Sequence, residues 1–225
     1  MREVSTSATG GQTRREELLS IAAKLFAERG FKNTTVRDIA DAAGILSGSL
    51  YHHFDSKEAM VDELLDSFQT ALWQQYDAIE ASDRSPRAKL EAVVRVSFDA
   101  IDRHHSEVAI FQTDAVYLAS FDRFAYLHER NVRFRTLWTG LLQDGVAAGE
   151  LRADLDVELV YRFLRDTVWV AVRWYRPGGD LSPDQVADQY LHILLEGISE
   201  RSEEVEEVAQ RPSRNPVREE GTARA

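Results

Sequence analysis

The 225-residue chain contains no cysteine. That excludes disulfide scaffolds, Cys-ligated zinc, iron–sulfur clusters and thiol nucleophiles, and it permits a reducing compartment. Proline and glycine are scarce, at five and twelve residues, which favours long uninterrupted helices over a strand-and-turn architecture. No run of about 18 apolar residues occurs, and the opening MREVSTSATGGQ lacks the apolar core of a signal peptide. The expectation is a soluble, cytoplasmic protein with no membrane partner. Lysine is nearly missing too, outnumbered by arginine 23 to 4. Catalytic signals are equally thin. Gly140, Gly145 and Gly149 lie in a helical pattern with no preceding strand, so they are no phosphate loop, and no serine sits in a nucleophile elbow. His104 and His105 are adjacent and point to different sides of a helix, while His128 and His192 have no partner at ligand spacing. No catalytic residue, metal site or cofactor is expected, and no enzyme.

What remains is ordinary globular composition, 44% hydrophobic and 29% charged. The net charge of −11 argues against nucleic acid until it is divided along the chain. Residues 1–57 hold eight Lys and Arg against seven Asp and Glu, whereas residues 58–199 hold fourteen against twenty-four. The acidity sits in the body, and only the N-terminal part is tolerable to a phosphate backbone.

The periodicity predicts an all-α chain of about nine helices. Residues 1–12 are Ser/Thr/Gly-rich and expected to be disordered, as is the charged tail 200–225. A helix from Thr13 to Arg29 places Leu18, Ala22, Leu25 and Phe26 on one stripe and stops at Gly30. Thr35 with Asp38 three residues on reads as a capping box opening a short helix that ends at Gly44. Ser47 begins another through Phe54, and Asp55-Ser56-Lys57-Glu58 caps a fourth reaching Ala81. Ser85-Pro86 starts the next, to His104. Further helices are expected over Ser106–Leu118, Phe121–Ala148, Asp154 or Asp156 to Tyr175, and Ser182 to Ser199, the last opened by Ser182-Pro183-Asp184-Gln185.

The segment from Thr35 to Phe54 has the form of a helix-turn-helix, two short helices around a tight turn at Gly44. Val36, Ile39, Ala40, Ala43, Ile45, Leu50 and Phe54 supply its inner faces. Outward stand Ser47, Gly48, Ser49, Tyr51, His52 and His53, small or hydrogen-bonding groups of the kind that meet phosphates and base edges. Ser47 and Ser49 can donate to phosphates, Gly48 lets the backbone come close, and Tyr51 and His52 can reach bases or a thymine methyl. Thr35 and Arg37 open the preceding helix, where the dipole favours a phosphate, and Lys57 opens the following one near a second backbone. On residues alone, a plain three-helix bundle with a solvated polar face fits as well.

Phe26-Ala-Glu-Arg-Gly-Phe31, Thr34-Thr-Val-Arg-Asp-Ile-Ala40, Ala43-Gly-Ile45, Gly48-Ser-Leu-Tyr-His-His-Phe54 and Ser56-Lys-Glu58 resemble the DNA-binding domain of the TetR family, in register over residues 13–60. The resemblance implies a homodimer on a palindromic double-stranded operator, with repression relieved by a small-molecule effector. Residues 13–60 are then the DNA-binding domain, and 61–199 the ligand-binding and dimerisation domain.

In that body, Val157, Leu159, Val160, Phe163, Leu164, Val168, Trp169, Val170, Val172, Trp174 and Tyr175 surround one helix, so it is expected to face core on one side and a partner subunit on the other. Val186, Tyr190, Ile193 and Gly197 give the last helix a narrower stripe, and the two helices are expected to pair with a second copy. Arg162, Arg165, Arg173 and Arg176 interrupt the apolar pattern, with Arg165, Trp169 and Arg173 on one stripe. Each arginine needs an anion: either an internal carboxylate such as Asp166, Asp114 or Glu129, or an anionic ligand. Phe98, Phe111, Tyr117, Phe134, Trp138 and Trp169 line such a ligand's pocket or are core. The stretch from Val160 to Gly179, with Thr35–Phe54 and its Gly44-Ile-Leu-Ser-Gly-Ser-Leu50, is similar to the actinobacterial TetR repressors of cholesterol-ring catabolism. That similarity implies release by a coenzyme A thioester of a steroid-ring remnant, greasy at one end and polyanionic at the other. An activator, a sensor of another hydrophobic anion, or a helical enzyme are the alternatives.

Overall fold

The computed structural model describes residues 9–198. They form nine α-helices and two 3-10 turns, with no strand among the described residues: α1 Thr9–Arg29, α2 Val36–Ala42, α3 Ser47–Leu50, α4 Lys57–Glu80, α5 Pro86–Arg103, α6 His105–Leu118, α7 Tyr126–Ala147, α8 Val157–Val170 and α9 Pro183–Ile198.

Most helix starts carry the caps their sequences advertise. The Ser56 hydroxyl accepts from the Ala59 N–H at 3.0 Å, Ser85 from Ala88 at 3.3 Å, and Asp156 from Leu159 at 3.0 Å. Ser182 and Gln185 close a reciprocal capping box before α9, at 2.8 and 3.2 Å. Each such cap is worth about 1 kcal/mol.

Four boundaries differ from the sequence reading. α1 starts at Thr9, four residues before the expected Thr13, because extending a formed helix costs little once later turns are packed. Expected disorder over 9–12 is thereby corrected; over 1–8 and 200–225 it lies outside the described residues. α3 has only four residues. After Leu50 the chain tightens, with His52 N–H on Ser49 O at 3.3 Å and His53 N–H on Leu50 O at 3.0 Å, as Phe54 turns inward. The expected helix from Phe121 is a 3-10 turn over Asp122–Phe124 before α7, bent to seat the fully buried Phe124 against Phe121. α8 ends at Val170 in a 3-10 turn, Ala171–Arg173, that buries Ala171 and Val172. The Tyr175 hydroxyl then anchors on Asp102 at 2.7 Å.

The apolar side chains form two cores. One gathers α1, α2, α3 and the first half of α4, and takes in Ile110 and Leu118 of α6 with Phe124 and Leu127. The other is built on α5, which packs against α4, α7, α8 and α9 and buries Leu90, Val93, Val94, Phe98 and Ile101. α4 runs unbroken through both, with Met60, Val61 and Leu65 in the first and Phe68, Leu72 and Tyr76 in the second. On α8, Tyr161, Leu164, Val168 and Trp169 point into the core, while Leu159 and Phe163 remain exposed, as do Trp174 beyond it and Ile193 on α9.

Candidate nucleic-acid interface and ligand cavity

α2 and α3 are joined by a closed turn. Thr35 and Asp38 make the expected capping box, with Asp38 N–H on the Thr35 hydroxyl at 3.1 Å and Thr35 N–H on the carboxylate at 2.7 Å. The Thr35 hydroxyl also donates to that carboxylate at 2.6 Å, and this bond, followed by the one from the Thr35 N–H, holds the Asp38 carboxyl below the usual aspartate range. At the far end Gly44 adopts φ 66°, a left-handed conformation that suits glycine. It closes a Schellman motif in which Ile45 N–H returns to Ala40 O at 3.0 Å and Gly44 N–H to Asp41 O at 3.2 Å. Ile39, Ala40, Leu50 and Phe54 are buried beneath. Gly48, Tyr51, His52, Thr35 and Arg37 are exposed, and Ser47, Ser49 and His53 partly so. α3 and the turns flanking it thus present a polar surface over a fixed apolar base.

Lys57 is placed otherwise than expected. Its ammonium donates to Phe31 O at 2.7 Å and Thr34 O at 2.8 Å and lies 4.1 Å over the Phe31 ring. Burial pulls its pKa below the ordinary lysine value. Two of its three donors are spent on the α1–α2 loop, so its main work is to hold that loop, and no sequence signal marked it. On the other side of the loop the Phe31 N–H, left over where α1 ends at Gly30 (φ 83°), donates to the buried Asp114 carboxylate of α6 at 2.9 Å. Asp114 belongs to this junction, and Arg165 pairs instead with its neighbour Asp166 at 2.7 Å.

The body has a half-open cavity of about 620 Å³ between α4, α6, α7 and α8, a size typical of small-ligand sites. Of the residues singled out in the sequence, Phe111, Phe134, Arg165 and Trp169 line it. Phe134 lies 6.0 Å from Trp169, and Phe68 meets it edge-on at 6.4 Å. The Trp169 indole N–H is buried without an acceptor among the described residues. Four expected lining residues lie elsewhere. Phe98 packs edge-on against Tyr190 of α9, and Tyr117 packs against Phe31 and Phe121 under Lys32. Trp138 is fully buried behind Phe134. Arg173 is exposed in the 3-10 turn, because the end of α8 takes it off the Arg165 stripe.

Sequence reasoning singled out Arg162 and Arg165 but missed the other half of the cationic rim, Arg130 and Arg135 of α7. Glu158 sits between two of them, 2.8 Å from Arg135 and 3.6 Å from Arg162, and Asp66 pairs with Arg130 at 2.6 Å. The arginines of α7 stand at a spacing that shows an ordinary solvated face, and only the fold turns them toward the cavity. Partly exposed pairs of this kind are worth about 0–1 kcal/mol, so the carboxylates hold these arginines only weakly.

Residues 18–64 match the family model for bacterial regulatory proteins of the tetR family, and residues 83–198 match the tetracyclin repressor-like C-terminal domain. The chain belongs to the TetR family. As a TetR regulator it is not an enzyme. It is 60% identical over 191 residues to the HTH-type transcriptional repressor KstR2 of Rhodococcus jostii, covering 85% of this chain and 94% of that one. The solved structure of the ketosteroid transcriptional regulator KstR2 of Mycobacterium tuberculosis superposes with a TM-score of 0.81 at 55% identity, covering 84% of this chain and 96% of that one. The TetR fold is shared with AibR, solved in complex with isovaleryl coenzyme A and operator DNA, at a TM-score of 0.69 and 22% identity, covering 80% of this chain and 97% of that one.

Proposed function

We propose that this TetR regulator is a transcriptional repressor that binds a palindromic operator as a dimer and is released by a coenzyme A thioester of a steroid-ring degradation intermediate. Residues 13–60 read the DNA through Thr35, Arg37, Ser47, Gly48, Ser49, Tyr51 and His52, and residues 61–199 sense the ligand. The observation that carries the effector class is the pairing of an aromatic cavity floor with a rim of four arginines. The floor suits a fused-ring acyl group. The rim suits the pyrophosphate and phosphate of the coenzyme, which stay outside. The likeness to KstR2 supports both halves, since the Rhodococcus protein is named a repressor and the Mycobacterium one a ketosteroid regulator. The exposed Leu159, Phe163 and Ile193 support dimerisation through α8 and α9.

Gel retardation on DNA upstream of the chain's own gene tests the proposal. A steroid-ring acyl-CoA releases the DNA, while the free acid and coenzyme A alone do so at least about tenfold less well, since each lacks one half of the contacts. Arg165→Ala binds DNA normally and needs more thioester. Release by free acid and thioester at equal concentrations overturns the effector class; no retardation at low salt overturns the repressor.

A further inference from the structure

Among the described residues before α4, two large apolar side chains are exposed, Leu46 and Tyr51, and they flank α3 at its two ends. Tyr51 carries a hydroxyl and has an obvious use against DNA. Leu46 has none. It is 81% exposed, in a segment whose other apolar residues, Ile45 and Leu50, turn toward the core. The surroundings leave it open: a Cβ built on Gly44 or on Gly48 would meet nothing within 4 Å. The side chain therefore stands clear of its own domain, on the polar surface that Ser47, Gly48 and Ser49 present.

The chemistry of that position limits what Leu46 can recognise. A leucine neither donates nor accepts a hydrogen bond, so it gains nothing from a phosphate or from the polar base edges. Of the groups a base pair displays in the major groove, the thymine 5-methyl is the apolar one. From this we infer that Leu46 is a specificity residue of the operator contact, reading a thymine methyl in each half-site. The inference rests on the DNA-binding reading above and adds an apolar contact to a surface otherwise read through hydrogen bonds. It also gives a preference with a direction: T over C, and T over U, at one position per half-site.

Replacing thymine by deoxyuridine deletes that methyl and leaves every hydrogen-bonding group in place. A duplex enriched by the full-length protein from a random library is resynthesised with deoxyuridine at each thymine in turn, and affinity is measured for the wild type and for Leu46→Ala. Because Leu46 is exposed, the variant keeps its fold, which its helical circular dichroism checks. For the wild type, one thymine per half-site weakens binding about fourfold when demethylated, and about fifteenfold when both half-sites are changed. Leu46→Ala binds the unmodified duplex more weakly and is indifferent to deoxyuridine at that position. If the variant retains the same sensitivity, the methyl is read by another residue and the inference falls. If no thymine matters while the duplex is still bound, it falls and the repressor reading stands. If no duplex is enriched at all, both fall together.

Discussion

Asp114 gives the sharpest test of how the two parts of the molecule are joined. Its carboxylate is buried on α6 and takes the Phe31 N–H at 2.9 Å, across the loop that leads through Thr34 to the Thr35 cap of α2. Asp114→Ala removes that acceptor and leaves a backbone donor buried without a partner, a loss of about 1–3 kcal/mol. For a chain of this length each kcal/mol lowers Tm by roughly 2–4 °C, so a fall of about 2–12 °C is expected in a thermal melt followed by circular dichroism. Asp114→Asn keeps an oxygen at the same place and falls less. Because the loop positions α2, operator affinity drops with Asp114→Ala as well. Asp114 does not line the cavity, so thioester affinity, measured by calorimetry, is unchanged. A variant that melts within about 1 °C of the wild type and binds operator equally well would refute the reasoning, because an orphaned buried donor cannot be that cheap.

Two other outcomes follow from local geometry. Gly145 lies on α7 where an added Cβ would sit 2.7 Å from Leu151 Cδ1 and 2.9 Å from Cγ, and Leu151 is itself buried. Gly145→Ala is therefore expected to cost about 1–3 kcal/mol by overpacking, seen as a lower urea midpoint at constant m-value; a rise in the midpoint, as helix propensity alone would give, contradicts the packing. The lowered Asp38 pKa makes its contribution to stability fully present above the ordinary aspartate value of about 3.9 and lost as the pH falls through the lower folded value. An NMR titration of Asp38 in the folded chain should place its midpoint below that of a model peptide, and Asp38→Asn should abolish the difference in acid sensitivity.

The elements that could be read in the sequence are those whose causes are local. Thr35 with Asp38, Ser85 with Pro86 and Ser182 with Gln185 carry their own partners within three residues, and each forms the cap it announces. Gly44 marks its turn because a left-handed residue is needed there. The misreadings concern partners that are distant along the chain. Lys57 is claimed by carbonyls 26 and 23 residues away, which no spacing rule reveals. Trp138 and Trp169 look alike in the sequence, yet one is sealed in the core and the other lines the cavity, because packing against Phe134 decides which ring meets the space. Arg173 shares a stripe with Arg165 only if α8 continues, and burial of Ala171 and Val172 bends the chain before it gets there. Arg130 and Arg135 of α7 read as solvated charges because the cavity they border is completed by three other helices.

The shared first core has a practical consequence for anyone who would borrow the reading head. Ile110, Leu118, Phe124 and Leu127 are distant in sequence but fill the space between α1 and the start of α4. A fragment cut after residue 60 would lack them and would expose the apolar faces they cover. Transplanting this operator specificity onto a different sensor therefore means carrying α6 and the entry to α7 along with it, or rebuilding their four side chains on the new host.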